Sequence, residues 1–201
     1  MQLYIKPGAC SLAPHIALRE AGLPFELMKV DLAGKTLEDG SNFLAINPKG
    51  QVPALVLDGG EILTEGAVLL QYIADQAPAA KLLPAAGSLA RYQALAWVNF
   101  VATELHKGFT PLFKPNTPEN YKPLVREQLA SKFAFLDQHL AESAYLAGAD
   151  YTVADIYCFV VLGWARHVGV DFNGLTHLQA YQARIADRPA VRAALVAEGL
   201  A

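Results

Sequence analysis

Residues 47–66 read Asn47–Pro48–Lys49–Gly50–Gln51–Val52–Pro53–Ala54–Leu55–Val56–Leu57–Asp58–Gly59–Gly60–Glu61–Ile62–Leu63–Thr64–Glu65–Gly66. Two apolar runs, Val52–Leu57 and Glu61–Leu63, flank an Asp–Gly–Gly turn, which is a hairpin signal. Pro53 cannot donate to a sheet ladder, so it marks a strand start. Alternatively, an X-Pro bond here can be cis and turn the Val52 backbone groups outward to pair with a peptide-like ligand. Thr64–Glu65–Gly66 ends the hairpin and opens a helix over Ala67 to Ala74. Amides at such a start can hold a ligand carboxylate and the Glu65 side chain an ammonium group; a glutamate that only complements the helix dipole is the other reading.

Working outward toward the N-terminus, Leu3–Tyr4–Ile5 is a short strand stopped by Pro7–Gly8. A helix follows, with Leu12, His15, Ile16 and Arg19 at helical spacing and Gly22 closing it. Phe25 to Val30 alternates as a second strand. Asp31 to Asn47 is polar and irregular, with one helical turn around Gly40 to Ala45. The order β-α-β, then β-β-α, is the thioredoxin arrangement, expected over residues 1–78. Past Gln76, Ala77–Ala80 and Leu83–Gly87 read as a linker. Strand signals then vanish, and helices are expected over Ser88 to Thr110, Pro118 to Leu140, Thr152 to Val168, Leu175 to Ala186 and Pro189 to Ala197. Thr152 and Asp155 form a capping box for the third of these. The fold class is therefore α/β plus all-α, with a helical domain over residues 87–201.

Of 201 residues, 53% are hydrophobic and 17% charged, which excludes a disordered chain and leaves spare apolar surface for a partner subunit. A net charge of −3 with scattered basic residues argues against nucleic acid. No apolar run approaches the roughly 20 residues that span a bilayer. The N-terminus lacks the pattern of a secretory signal, and two cysteines are too few for a disulfide scaffold or zinc cage. A reducing, cytoplasmic setting fits, and no metal site is expected.

Cys10 lies between the Pro7–Gly8 turn and a helix start. Helix-start amides favour a thiolate, so it reads as a reactive thiol or as a small buried hydrophobe. Cys10–Ser11–Leu12–Ala13 has one cysteine where a redox pair has two; this thiol can form a mixed disulfide but not a local bridge. Cys158, among Ile156, Phe159 and Val160, reads as core. Asn99, Thr103 and His106 share a helix face apart from the stripe Trp97, Val101 and Leu105: either the floor of a site or a solvated face.

Several fragments together resemble the bacterial beta-class glutathione transferases along the whole chain. They are Lys6–Pro7–Gly8–Ala9–Cys10–Ser11, Asn47–Pro53, Leu63–Thr64–Glu65–Gly66, Thr103–Glu104–Leu105–His106–Lys107–Gly108–Phe109 and Thr152–Val153–Ala154–Asp155. The resemblance implies a cis Val52–Pro53 bond, with Val52 pairing with the cysteinyl part of glutathione. It implies Glu65 and Gly66 at the γ-glutamyl end and Lys35 near the glycyl end. Cys10, Thr103 and His106 would sit near the sulfur, with Asn99 on the same wall and Cys10 and His106 catalytic. Gly66 stands where many transferases carry serine, keeping the amide and losing a hydroxyl. A homodimer and a looser apolar pocket are implied as well. Ala9, Phe109, Phe113, Trp164 and His167 are candidates for that pocket; for Phe113 and Trp164 a core role is the alternative. The expected activity is conjugation of glutathione, a co-substrate and not a resident cofactor, to small hydrophobic electrophiles in detoxification. Disulfide or peroxide reduction through a Cys10 mixed disulfide, and non-catalytic ligand binding, are the rival readings.

Overall fold

Strands β1 (Gln2–Ile5), β2 (Glu26–Asp31), β3 (Thr36–Leu37), β4 (Ala54–Val56) and β5 (Ile62–Thr64) form one sheet in the order β3-β2-β1-β4-β5. The computed structural model describes residues 1–201, which divide into one unit of Met1–Leu83 with Arg188–Ala201 and another of Pro84–Asp187. In the first unit β1 runs parallel to β2, from Gln2↔Glu26 to Ile5↔Lys29, and antiparallel to β4. The hairpin lies where the turn chemistry puts it, pairing Ala54↔Thr64 through Val56↔Ile62, with the Leu57 amide donating to the Glu61 carbonyl at 2.8 Å. Its first strand begins at Ala54 and not Val52, because Pro53 has no N–H to enter the ladder. The irregular stretch supplies the edge strand β3 and a single 3₁₀ turn at Phe43–Ala45, capped by the Asn42 side chain. That turn delivers Phe43 to the core, fully buried and stacked on Tyr4 at 5.8 Å between ring centroids.

Helices α1 (Leu12–Glu20) and α2 (Gly66–Gln76) belong to this unit, as expected. So does the last helix, α8 (Pro189–Glu198), which packs on α1. The expected helical domain of 87–201 is thus corrected: the second unit ends at Asp187. An apolar stripe such as Val191/Ala194 must be buried but does not say against what; here α1 supplies the surface, every residue from Leu12 to Leu18 being buried.

The second unit is helical. Its first helix runs as α3 (Leu89–Phe100), a π-helical stretch Val101–His106 and α4 (Lys107–Phe113). Then come α5 (Lys122–Glu142), α6 (Val153–Leu162) and α7 (Thr176–Ala186). The helix expected over 152–168 ends at Leu162, and a 3₁₀ turn Ala165–His167 comes after Gly163. The capping box is present: Asp155 Oδ2 accepts from the Thr152 amide at 2.8 Å. Asp155 Oδ1 meanwhile accepts from the Leu146 amide and the Tyr181 hydroxyl, at 2.8 and 3.0 Å. Burial raises the Asp155 carboxyl above the usual carboxylate range, and these donors oppose the rise. No helix is long and apolar enough to cross a membrane.

Candidate functional site

In the first unit the segment between β1 and α1 is a wound loop. The Ser11 hydroxyl accepts from the Lys6 amide at 3.1 Å and donates to the Lys6 carbonyl at 3.2 Å, closing the loop on itself. Gly8 turns at φ +74, a conformation that favours glycine, and its amide donates to Glu198 Oε2 of α8 at 2.9 Å. Glu198 Oε1 lies 2.8 Å from His15 Nδ1, and Arg19 Nε donates to His15 Nε2 at 2.9 Å. Arginine can only donate, so His15 Nε2 carries no proton and Nδ1–H donates to the carboxylate. The side chains of His15 and Glu198 have no exposed surface. One carboxylate on the last helix therefore holds both α1 and the loop that carries Cys10. The pairing of His15 with Glu198 left no signal in the sequence, since 183 positions separate them.

Cys10 is half-buried, and its Sγ–H donates to the Val52 carbonyl at 3.3 Å. Only the thiol form makes this bond. The Val52–Pro53 bond is cis, as the resemblance implied. Lys35 has its Nζ donating to the Gly50 carbonyl at 2.8 Å. Glu65 occupies the residue before α2 at φ 72, ψ 112, outside the regions that side-chain-bearing residues favour. Its carboxylate is exposed and sits 2.5 Å from Lys49 Nζ, which also donates to Thr64 Oγ1 at 3.1 Å. Lys49 is thus a partner the sequence reading missed. Gly66 opens α2. Ala9 packs against the cluster of Tyr4, Val30, Phe43, Val52 and Ala54.

In the second unit Asn99 and Thr103 are exposed, the Thr103 hydroxyl donating to the Asn99 carbonyl at 3.0 Å. His106 is half-buried. It closes the π-helical stretch, whose i→i+5 turns hold one residue more than α turns and so rotate the residues at its far end. Its Nδ1 lies 2.6 Å from the Tyr157 hydroxyl of α6, and the Trp164 ring meets the imidazole edge to face at 4.9 Å between centroids. Burial, reinforced by the Lys107 cation, lowers the His106 pKa to about 4, so the imidazole is neutral at ordinary pH. Phe113 and Trp164 belong to the same aromatic group, 5.8 Å apart. Phe109 lies behind them, fully buried against Phe133 and Trp164. It is a core residue with no exposed surface to line a pocket, which corrects its place among lining candidates. His167 is exposed, its Nε2 accepting from Arg166 Nε at 3.3 Å. Cys158 is fully buried, as its neighbours implied, and burial raises its thiol far above the usual range.

The chain is similar to known proteins. Residues 8–76 match the model of the glutathione S-transferase N-terminal domain, and residues 100–189 that of the C-terminal domain. The chain belongs to the glutathione S-transferase family. It is 52% identical over 200 residues to the glutathione S-transferase GstA of Escherichia coli O157:H7, covering all of both chains. Among solved structures it is similar to a sphingomonad glutathione S-transferase complexed with glutathione, at 54% identity and a TM-score of 0.96. A bacterial beta-class glutathione S-transferase from Sphingomonas chungbukensis gives 50% identity and a TM-score of 0.97. The whole of each chain is covered in both comparisons. The beta-class resemblance in the sequence is borne out, and the protein is a glutathione transferase.

Proposed function

We propose that this transferase joins the sulfur of glutathione to small apolar electrophiles, with release of the thiol proton to solvent and departure of the electrophile's leaving group. The observation that carries the reading is the Cys10 Sγ–H···O=C bond to Val52, which sets a thiol against a backbone edge suited to a cysteinyl peptide. On this reading Val52 pairs with the cysteinyl unit, Gly66 and Glu65 hold the γ-glutamyl end, and Lys35 serves the glycyl carboxylate. Cys10, Thr103 and His106 serve the sulfur, and Asn99 shares their wall. A neutral His106 acts as a hydrogen-bond donor to the developing thiolate and not as a cation. Ala9, Phe113, Trp164 and His167 line the electrophile pocket, backed by Phe109. The enzyme works as a cytoplasmic homodimer in detoxification, with no resident cofactor.

The lone half-buried thiol of Cys10 supports a second reading: exchange of that thiol with a glutathione disulfide to leave a mixed disulfide. Purified enzyme is assayed with glutathione and an aryl halide, and in parallel with a glutathione mixed disulfide. Turnover of the aryl halide above the uncatalysed rate, at least tenfold that of the disulfide, is expected. Turnover confined to the disulfide would transfer the function to Cys10 exchange, and turnover of neither would leave a binding protein.

A further inference from the structure

The 2.6 Å line between the Tyr157 hydroxyl and His106 Nδ1 has room for one proton. Which partner gives it determines what the other ring nitrogen can do. A phenol, titrating near ~10, is a stronger acid than a neutral imidazole N–H, and the imidazole nitrogen is a stronger base than a phenol oxygen. The phenol therefore donates. Tyr157 is well placed to hold that geometry: it lies within α6, every residue of which is buried, and the Thr152/Asp155 box fixes the start of that helix. The Trp164 ring, edge-on to the imidazole, limits its rotation.

A neutral imidazole carries a single N–H, and with Nδ1 accepting, that hydrogen is on Nε2. We infer that Tyr157 is a positioning residue that holds His106 in the Nε2–H tautomer, making its second nitrogen a hydrogen-bond donor and not a base. This inference rests on the proposed use of His106 toward the glutathione sulfur. It assigns a specific duty there: a donor stabilises the thiolate, whereas a bare nitrogen would compete with it for electron density. His15 offers a built-in contrast, because its partners force the opposite tautomer, with the hydrogen on Nδ1.

The test is long-range proton–nitrogen correlation NMR on protein labelled with nitrogen-15 histidine, near pH 7, using His15 as the internal reference. His106 is expected to show a protonated Nε2 and a bare Nδ1, and His15 the reverse. In Tyr157→Phe the His106 signals should move toward a mixture of tautomers while those of His15 stay. With that change kcat should fall about three- to tenfold, the worth of one neutral hydrogen bond, with the KM for glutathione unchanged within about twofold. A protonated Nδ1 on His106 in the wild-type protein overturns the inference, and that spectrum needs no variant to fold. An unaltered His106 pattern or an unaltered kcat in Tyr157→Phe overturns it as well. An enzyme that conjugates nothing would sink the proposed function while leaving the tautomer assignment to stand or fall on its own spectrum.

Discussion

His15 and His106 are both drawn away from water, and both commit Nδ1 to an oxygen; beyond that they diverge. His15 has its second nitrogen taken too, by Arg19, and its Nδ1 donates to a carboxylate that also holds the Gly8 amide. Every valence of that ring is satisfied by the fold, so it ties three segments of chain together. His106 is held on one side by a neutral phenol, and Nε2 stands outside that bond. The difference between a histidine that only builds and one proposed to act lies in how many of its nitrogens the fold consumes. That criterion makes quantitative demands on each region.

The largest effect is expected from Glu198→Ala. Removing the carboxylate takes the acceptor from the buried His15 Nδ1–H and from the part-buried Gly8 amide, and it detaches α8 from the loop that carries Cys10. Taking the acceptor from a donor drawn away from water costs about 1–3 kcal/mol, so the two lost bonds should together cost roughly 2–5 kcal/mol. Urea unfolding should show a loss of that order. A loss below about 1 kcal/mol would mean that the site tolerates water, and the comparison would lose its structural pole.

His106→Ala should shift the balance: a smaller loss of unfolding free energy, about 0.5–1.5 kcal/mol for the bond to Tyr157, but a fall in kcat of about 10- to 100-fold, the value of a hydrogen bond to a charged group. An unchanged kcat with a raised KM would show that His106 only binds. The pH dependence sharpens this. With the folded pKa near 4 and the unfolded value near ~6.5, the unfolded chain binds the proton first. Stability should therefore fall as pH drops from about 6.5 toward 4, by up to roughly 3 kcal/mol from this residue. The wild type should lose more stability than His106→Ala between pH 7 and pH 5. Equal losses would mean an imidazole open to solvent.

How much of this could be read in the sequence depends on the range of the interactions. The β4–β5 hairpin was legible because Asp58–Gly59–Gly60 declares its own turn, and the Thr152/Asp155 box because its partners are three residues apart. The π-helical stretch was not legible: Val101–His106 has the composition of an α-helix, and the wider turn shows only in where His106 ends up. His15 looked featureless since its carboxylate is supplied from the far end of the chain. Tyr157 was invisible for the same reason, 51 residues beyond its partner. Glu65 was found as a residue, but Lys49, which engages its exposed carboxylate, was not.

That missed pairing yields the smallest effect and the finest test. Lys49 Nζ now stands where the ammonium group of glutathione is proposed to bind, so the ligand must displace it from Glu65. Both side chains are more than half exposed, so the pair is worth only about 0.2–1 kcal/mol. Lys49→Ala should accordingly leave stability within about 1 kcal/mol of the wild type. Relieved of the competing cation, the variant should bind glutathione slightly more tightly, lowering the KM by a factor of about 1.4 to 5. Raising the salt to about 1 M shortens the screening length to roughly 3 Å and should shrink that difference. A KM that rises instead would make Lys49 a ligand-binding residue in its own right, and Glu65 would then hold a cation of the protein and not of the substrate.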